Sequence, residues 1–580
     1  MSSDGTIDGT TDPGPRAPWL RTALGAAAVA ALAWTATLPG GWGADGAAGT
    51  DAATRSGPVV DDAEAVLVEQ AALGCAGHDG LSGQVRAVTA PEQLVAPGGA
   101  GTGGLDLLGP QGPPADPVPF VHGGEPASAR LETGASASVT ATGGAAPGLV
   151  AGQVLVGPGP GARGDGDEGA GEADQDTDAG QADEDTDAGQ ADGGEDEAGS
   201  VTGGSAPRGV GLSGCVQPGE DHWVLAGGPA AGRTEGLVLT NPGADPVRVD
   251  LELRGEDGPV RVTGGSGLVV APGDRLVRPL DALAGGVEAP ALRVSAEGGP
   301  VAAQLVETYR DGTTELGLAV TSPAAAPARD LVVPAVPAGE ATDLVLRVLA
   351  PEAPAVVELG VLTEAGRVTP RTAAVRVAAG STTDVPLDEL ADGAAGLRLR
   401  SDVPVTAALQ VRATPADDAP VEDATATAQP GAEDAVSTTG APGDRPPVVR
   451  PAGDLAWLPA TSLSTQPVGM AVPDLADVPG ARLQLSLVGL DATTAEVLLR
   501  NGEGRTTSRT VELGNDSSAL VEVPEGTTAL WVRPARPAMA GVAAALHLTG
   551  QDDLGPYLAA TTLRPVPWTR EVSQVSSVLP

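Results

Sequence analysis

The chain has 580 residues and a formal charge of -43, with 76 Asp and Glu against 33 basic residues, all of them arginine. Such an acidic surface repels phosphate backbones and anionic headgroups, which excludes nucleic acid as a natural partner. Only 2% of residues are aromatic, while Gly (83) and Pro (53) are abundant, so cores must be filled by Val, Leu and Ala, and part of the chain is expected to lie outside any core.

In chain order, residues 1–21 read as a cytoplasmic N-terminus. The apolar run Thr22–Leu38 follows Arg16 and Arg21 and precedes Pro39-Gly40-Gly41. That charge asymmetry places the N-terminus inside and the bulk of the chain outside. Seventeen helical residues reach ~26 Å, short of a ~30 Å hydrocarbon core. Insertion is marginal by length, but the long n-region and the indistinct cleavage site favour a single-pass membrane anchor, with a cleaved signal peptide, and hence a secreted product, as the alternative. Residues 39–58 form a linker. A β region over 59–160 shows weak strand patterns separated by Gly and Pro clusters.

Residues 161–206 are expected to be a disordered acidic insert. Gly161–Ser200 alone holds fifteen Asp or Glu and one Arg, and includes the tandem ADQDTDAGQ and ADEDTDAGQ at Ala173 and Ala182. Almost nothing there repays the entropy of ordering. The DxDxD runs lack the glycine and closing glutamate of a calcium loop, so a solvated acidic segment is the plainer reading. Cys75 and Cys215 are the only cysteines. An exported chain with an even count favours a Cys75–Cys215 disulfide, which would tie the flanks of the insert together.

Regular strands begin after the insert. LVLTNPGADPVRVDLELRGEDGPV from Leu237 returns as LVLRVLAPEAPAVVELGVLTEAGRV from Leu344. Pro279 and Pro386 are again 107 positions apart, and Leu305 and Leu409 are 104 apart. Steady spacing of this length marks duplicated modules. Within them Val247, Val249, Leu251 and Leu253 alternate with Arg248, Asp250 and Glu252, the period of half-buried strands. The fold class is thus all-β: tandem immunoglobulin-like β-sandwich modules over 207–325, 331–414 and 454–550. A Pro/Ala/Asp-rich linker over 415–453 and a C-terminal segment over 551–580 complete the chain.

No catalytic pattern emerges. His78, His122, His222 and His547 are scattered without metal-ligand spacing, GAGTGG at Gly99 lacks the strand and helix that a dinucleotide turn needs, and Asp281 and Asp388 read as turn caps in equivalent PLDxL segments. Arg163-Gly164-Asp165 is a chance tripeptide in an acidic stretch. No cofactor and no metal are expected, and the chain is read as a non-enzyme.

The block GLSGCVQPGEDHWVLAGG at Gly211, the LVLTNPGADPVRVDLELRGEDGP block and the later PLD and ALRV strands resemble an actinobacterial secreted family catalogued as domain of unknown function 5719. That resemblance implies an envelope protein of β-sandwich repeats and carries no activity or functional residue with it. The expected role is a membrane-anchored extracytoplasmic scaffold or binding protein, with an envelope protein or cell-wall polymer as partner. The alternative is an accessory subunit for export or assembly of envelope glycopolymers beside a membrane glycosyltransferase or transporter. An adhesin or sugar-binding module is disfavoured by the shortage of aromatic rings.

Overall fold

The computed structural model describes residues 64–95, 100–109, 116–157, 208–312, 314–337, 342–387, 390, 393–414, 452–535 and 540–572. The apolar run Thr22–Leu38, the acidic insert, nearly all of 415–453 and Asp388 lie outside these residues. Among the described residues no helix is long and apolar enough to cross a membrane.

The regular structure of the described chain is almost entirely antiparallel strand, with one short helix at Leu280–Leu283. Its alternating segments behave as their period predicts: Val247, Val249, Leu251 and Leu253 are buried, while Arg248 and Glu252 face solvent. Four modules share one topology of eight principal strands. Numbered in chain order within a module, strands 1, 6, 3 and 4 form an outer sheet, and strands 5, 2, 7 and 8 form an inner sheet. In the N-terminal module the outer strands are Gln70–Cys75, Ser136–Gly143, Gly101–Leu108 and Val118–Val121, and the inner ones are Ala127–Leu131, Gly83–Val88, Val150–Gly157 and Gly209–Gly214. The weakly patterned 59–160 region is thus a fourth copy. This order sets strand 1 beside strand 6, whereas the immunoglobulin constant arrangement sets its first strand beside its second. In the second module a single strand, Gly396–Ala413, serves as strands 6 and 7, pairing with Ala355–Thr363 through its first half and with Thr342–Ala350 through its second.

Strand 8 moves three expected boundaries. Gly209–Gly214 pairs with Val150–Gly157 and so completes the N-terminal module rather than opening the first. Asp454–Pro459 pairs with Gly396–Ala413 and completes the second rather than opening the third. Gly555–Thr562, placed by sequence in the C-terminal segment, pairs with Ala543–Asp552 of the third. Composition breaks mislead here because both long segments, 158–207 and 415–451, are inserted between strands 7 and 8 of a sheet that closes across the gap. The equivalent connections elsewhere are short turns, Asp311 to Thr314 and Asp552 to Gly555. The repeat spacing also needs a local adjustment. Gly236 lies opposite Pro279, and Val345 lies opposite Pro386. Strand 2 is therefore offset by 109 residues, which keeps its side chains on the same faces because two residues complete one pleat.

Residues 63–572 form one compact unit. The four eighth strands meet at its centre: Gly209–Gly214 and Asp454–Pro459 each touch Thr314–Thr321 and Gly555–Thr562, and also touch one another. The outward face of each inner sheet then closes the core of a neighbouring module. Val238, Val306 and Leu318 of the first module enter the N-terminal core. Leu349, Ala408 and Trp457 of the second enter the first. Ala545, Leu558 and Ala560 of the third enter the second, and Val154, Val210 and Leu212 of the N-terminal module enter the third. The cycle is sealed where Glu64–Leu67 pairs with Thr569–Val572. Sheets with both faces covered explain the unbroken apolar runs such as Val542–Leu546, and the small side chains let neighbouring sheets approach closely.

Candidate functional site

Cys75, at the end of strand 1 of the outer sheet, and Cys215, just past strand 8 of the inner sheet, are joined by a disulfide. Their Cα atoms are 4.5 Å apart across 140 residues of sequence. The adjoining seam to the first module is polar. Gln304 Oε1 accepts the Ala76 N–H at 3.0 Å, Gln153 Oε1 accepts the Gly77 N–H at 3.0 Å, and both amides donate to Ser213 Oγ.

At the centre, Asp454 is fully buried and its carboxylate accepts four backbone N–H groups: Val210 (3.2 Å), Leu318 (3.1 Å), Leu455 (2.9 Å) and Leu558 (2.9 Å). One side chain thereby ties the eighth strands of all four modules. Glycine makes the approach possible. A Cβ on Gly317, whose φ is +128°, would sit 2.5 Å from the Leu455 nitrogen, and one on Gly209 (φ +146°) 2.7 Å from the Leu318 nitrogen. Burial pushes the Asp454 carboxyl up to about 7 against the pull of the four N–H groups.

Nearby, Glu235 and Glu307 are direct cross-strand neighbours. Burial, reinforced by the Glu307 charge, pushes Glu235 up to about 7. Two neighbouring carboxyl groups, one of them with a raised pKa, invite an acid–base reading. Here both are enclosed by the seam between the first and second modules. Glu307 is ion-paired to Arg233 at 2.8 Å and accepts the Trp457 indole N–H at 3.0 Å, while Arg347 lies 4.8 Å over the Trp457 ring. Arg347 also grips Asp384 and donates to the carbonyls of Gly227 and Pro290. Glu307 is thereby committed to holding the modules together, while Glu235 accepts the Gly228 N–H within its own module.

A mostly apolar concave site, smaller than two more polar clefts elsewhere on the third module, lies between the second and third modules and encloses about 420 Å³. Its floor is built from buried Val336, Pro337, Ala394, Ala413 and Leu558, and its mouth from exposed Leu520, Gln484 and Thr549. The strands dictate this arrangement: Gln484 lies opposite His547, and Ser486 opposite Leu520, so the pleat sets all four on the face of the third inner sheet that meets the second module. Ser486 donates to the Ala395 carbonyl at 2.8 Å and fixes the seam. His547, 5% exposed, holds Gln484 Oε1 through Nε2 at 2.8 Å, and burial drives its pKa down to about 4. The imidazole is therefore neutral near pH 7, with Nε2 donating and Nδ1 without a partner. Sequence spacing gave no reason to single out His547 among four scattered histidines, because its pocket partners come from a strand 63 residues away and from another module.

Asp281 stands in the first turn of Leu280–Leu283. Among the described residues no three His, Cys, Asp or Glu are grouped to hold a metal ion. No curated protein matches the chain. Residues 170–450 match the model of DUF5719, a family of unknown function, which is the family that the sequence resembles.

Proposed function

We propose that the protein is a non-enzymatic, extracytoplasmic scaffold of the cell envelope, anchored by Thr22–Leu38 and binding its partner at the cleft between the second and third modules. The observation that carries this reading is the cleft itself: a concave, mostly apolar site with a few polar groups at a junction of rigidly seamed modules, the usual setting of a binding pocket. The disulfide supports a location outside the cytosol, where such bonds persist. Immunoglobulin-like is kept as a description of the modules only in the broad sense of two packed antiparallel sheets. The buried carboxylates of Asp454 and Glu307 are spent on hydrogen bonds across seams, which favours contact over bond-making.

The test is cross-linking in intact cells followed by mass spectrometry, together with retention of the purified chain on isolated cell wall. Retention that falls when the cleft is altered supports the scaffold. A robust hydrolase or transferase activity in the purified chain overturns it, and co-purification of a glycosyltransferase or transporter moves the assignment to an accessory subunit.

A further inference from the structure

We infer that the cleft between the second and third modules takes an uncharged amphipathic ligand, its apolar chain lying against Val336, Ala394 and Leu558 and its polar head at Gln484 and Thr549. This rests on the cleft being the binding site proposed above and names the chemistry it accepts. The chain carries 76 acidic and 33 basic residues, yet no charged side chain is among the described residues that line this cavity. A charged head would find no counter-ion in this lining, and any part of its hydration lost on entering would go uncompensated, which selects against it. An acceptor on a neutral head meets donors instead. Gln484 Oε1 is taken by His547 Nε2, which leaves the Gln484 amide N–H groups at the mouth beside the Thr549 hydroxyl. Deeper in, Val336, Pro337, Ala394, Ala413 and Leu558 present only carbon side chains, and the Ser486 and Tyr557 hydroxyls are already given to the Ala395 carbonyl and Asp552. A volume of about 420 Å³ falls within the ~300 to 1,000 Å³ typical of small-ligand sites. Leu520, 51% exposed at the mouth, extends the apolar track to the surface.

The experiment uses the full chain in lipid nanodiscs and two photoreactive probes, N-octylacetamide and octanoate, each carrying a diazirine in the alkyl chain. After irradiation, labelled peptides are mapped by mass spectrometry. The neutral probe is expected to label the peptides around Ala394, Leu520 and Leu558, to be displaced by plain N-octylacetamide, and to exceed octanoate there at least tenfold. Ala394→Trp, which fills the floor, and Leu520→Asp, which places a charge on an exposed position, should each abolish that labelling. Equal labelling by both probes, or labelling that survives Ala394→Trp, overturns the inference. Wall retention separates the two levels: if Leu520→Asp lowers retention while the neutral probe never labels the cleft, the site stands and the ligand chemistry falls. If neither is affected, both fall.

Discussion

The central carboxylate offers the sharpest test of the architecture. Asp454→Ala removes the acceptor of four buried N–H groups from four different strands. A buried donor left unpaired costs about 1–3 kcal/mol, so even at the low end the loss is about 4 kcal/mol, a large part of the ~5–15 kcal/mol that holds a domain folded. Relief from desolvating a carboxylate offsets part of this, but a methyl group gives the N–H groups nothing to bind. Asp454→Asn keeps one oxygen and should lose about half as much. Hydrogen exchange of the peptides spanning Gly209–Gly214, Thr314–Thr321 and Gly555–Thr562 reads the effect directly. Four kcal/mol corresponds to roughly a thousandfold rise in opening for Asp454→Ala. Because the folded pKa of about 7 lies above the ordinary 3.8, the native state binds more protons between those values. This contribution is fully present below pH 3.8 and is lost as pH rises through 7. Asp454→Asn should remove that slope. Exchange within tenfold of wild type at all three strands in Asp454→Ala would refute the idea that one side chain ties the modules.

Three further outcomes follow from the same packing. Reducing the Cys75–Cys215 bond, or replacing both residues by Ser, should lower stability by up to about 5 kcal/mol by the loop-closure argument, seen as a lower urea midpoint with earlier proteolysis in the N-terminal module. Trp531→Ala should cost ~3–5 kcal/mol and expose the seam between the third and N-terminal modules to protease, since Trp531 is fully buried there and its indole donates to the Gly148 carbonyl at 2.9 Å. His547, held down to about 4 against an ordinary 6.5, contributes stability above pH 6.5 that is lost as pH falls towards 4. Urea unfolding of wild type and His547→Leu between pH 7 and 4.5 should therefore converge as the medium becomes more acidic, and an unchanged gap would contradict the neutral imidazole.

Much of the fold can be read directly from the chain. Alternation such as Val247 to Leu253 compels half-buried strands because successive side chains point to opposite faces, and the 107-residue spacing shows duplication because equal strands need equal lengths of chain. What sequence could not supply is closure. A strand edge carries the same N–H and C=O groups whatever its residues, so nothing in Gly209–Gly214 or Asp454–Pro459 says that it completes the sheet before a long insertion rather than starting the next module. Nor does any local pattern reveal that Asp454 gathers N–H groups from Val210, Leu318 and Leu558, or that His547 lines a cavity walled by Val336 and Ala394. Those meetings join residues up to hundreds of positions apart and exist only once four sandwiches pack round a shared centre, where the burial that drives the packing also decides which polar groups must find one another.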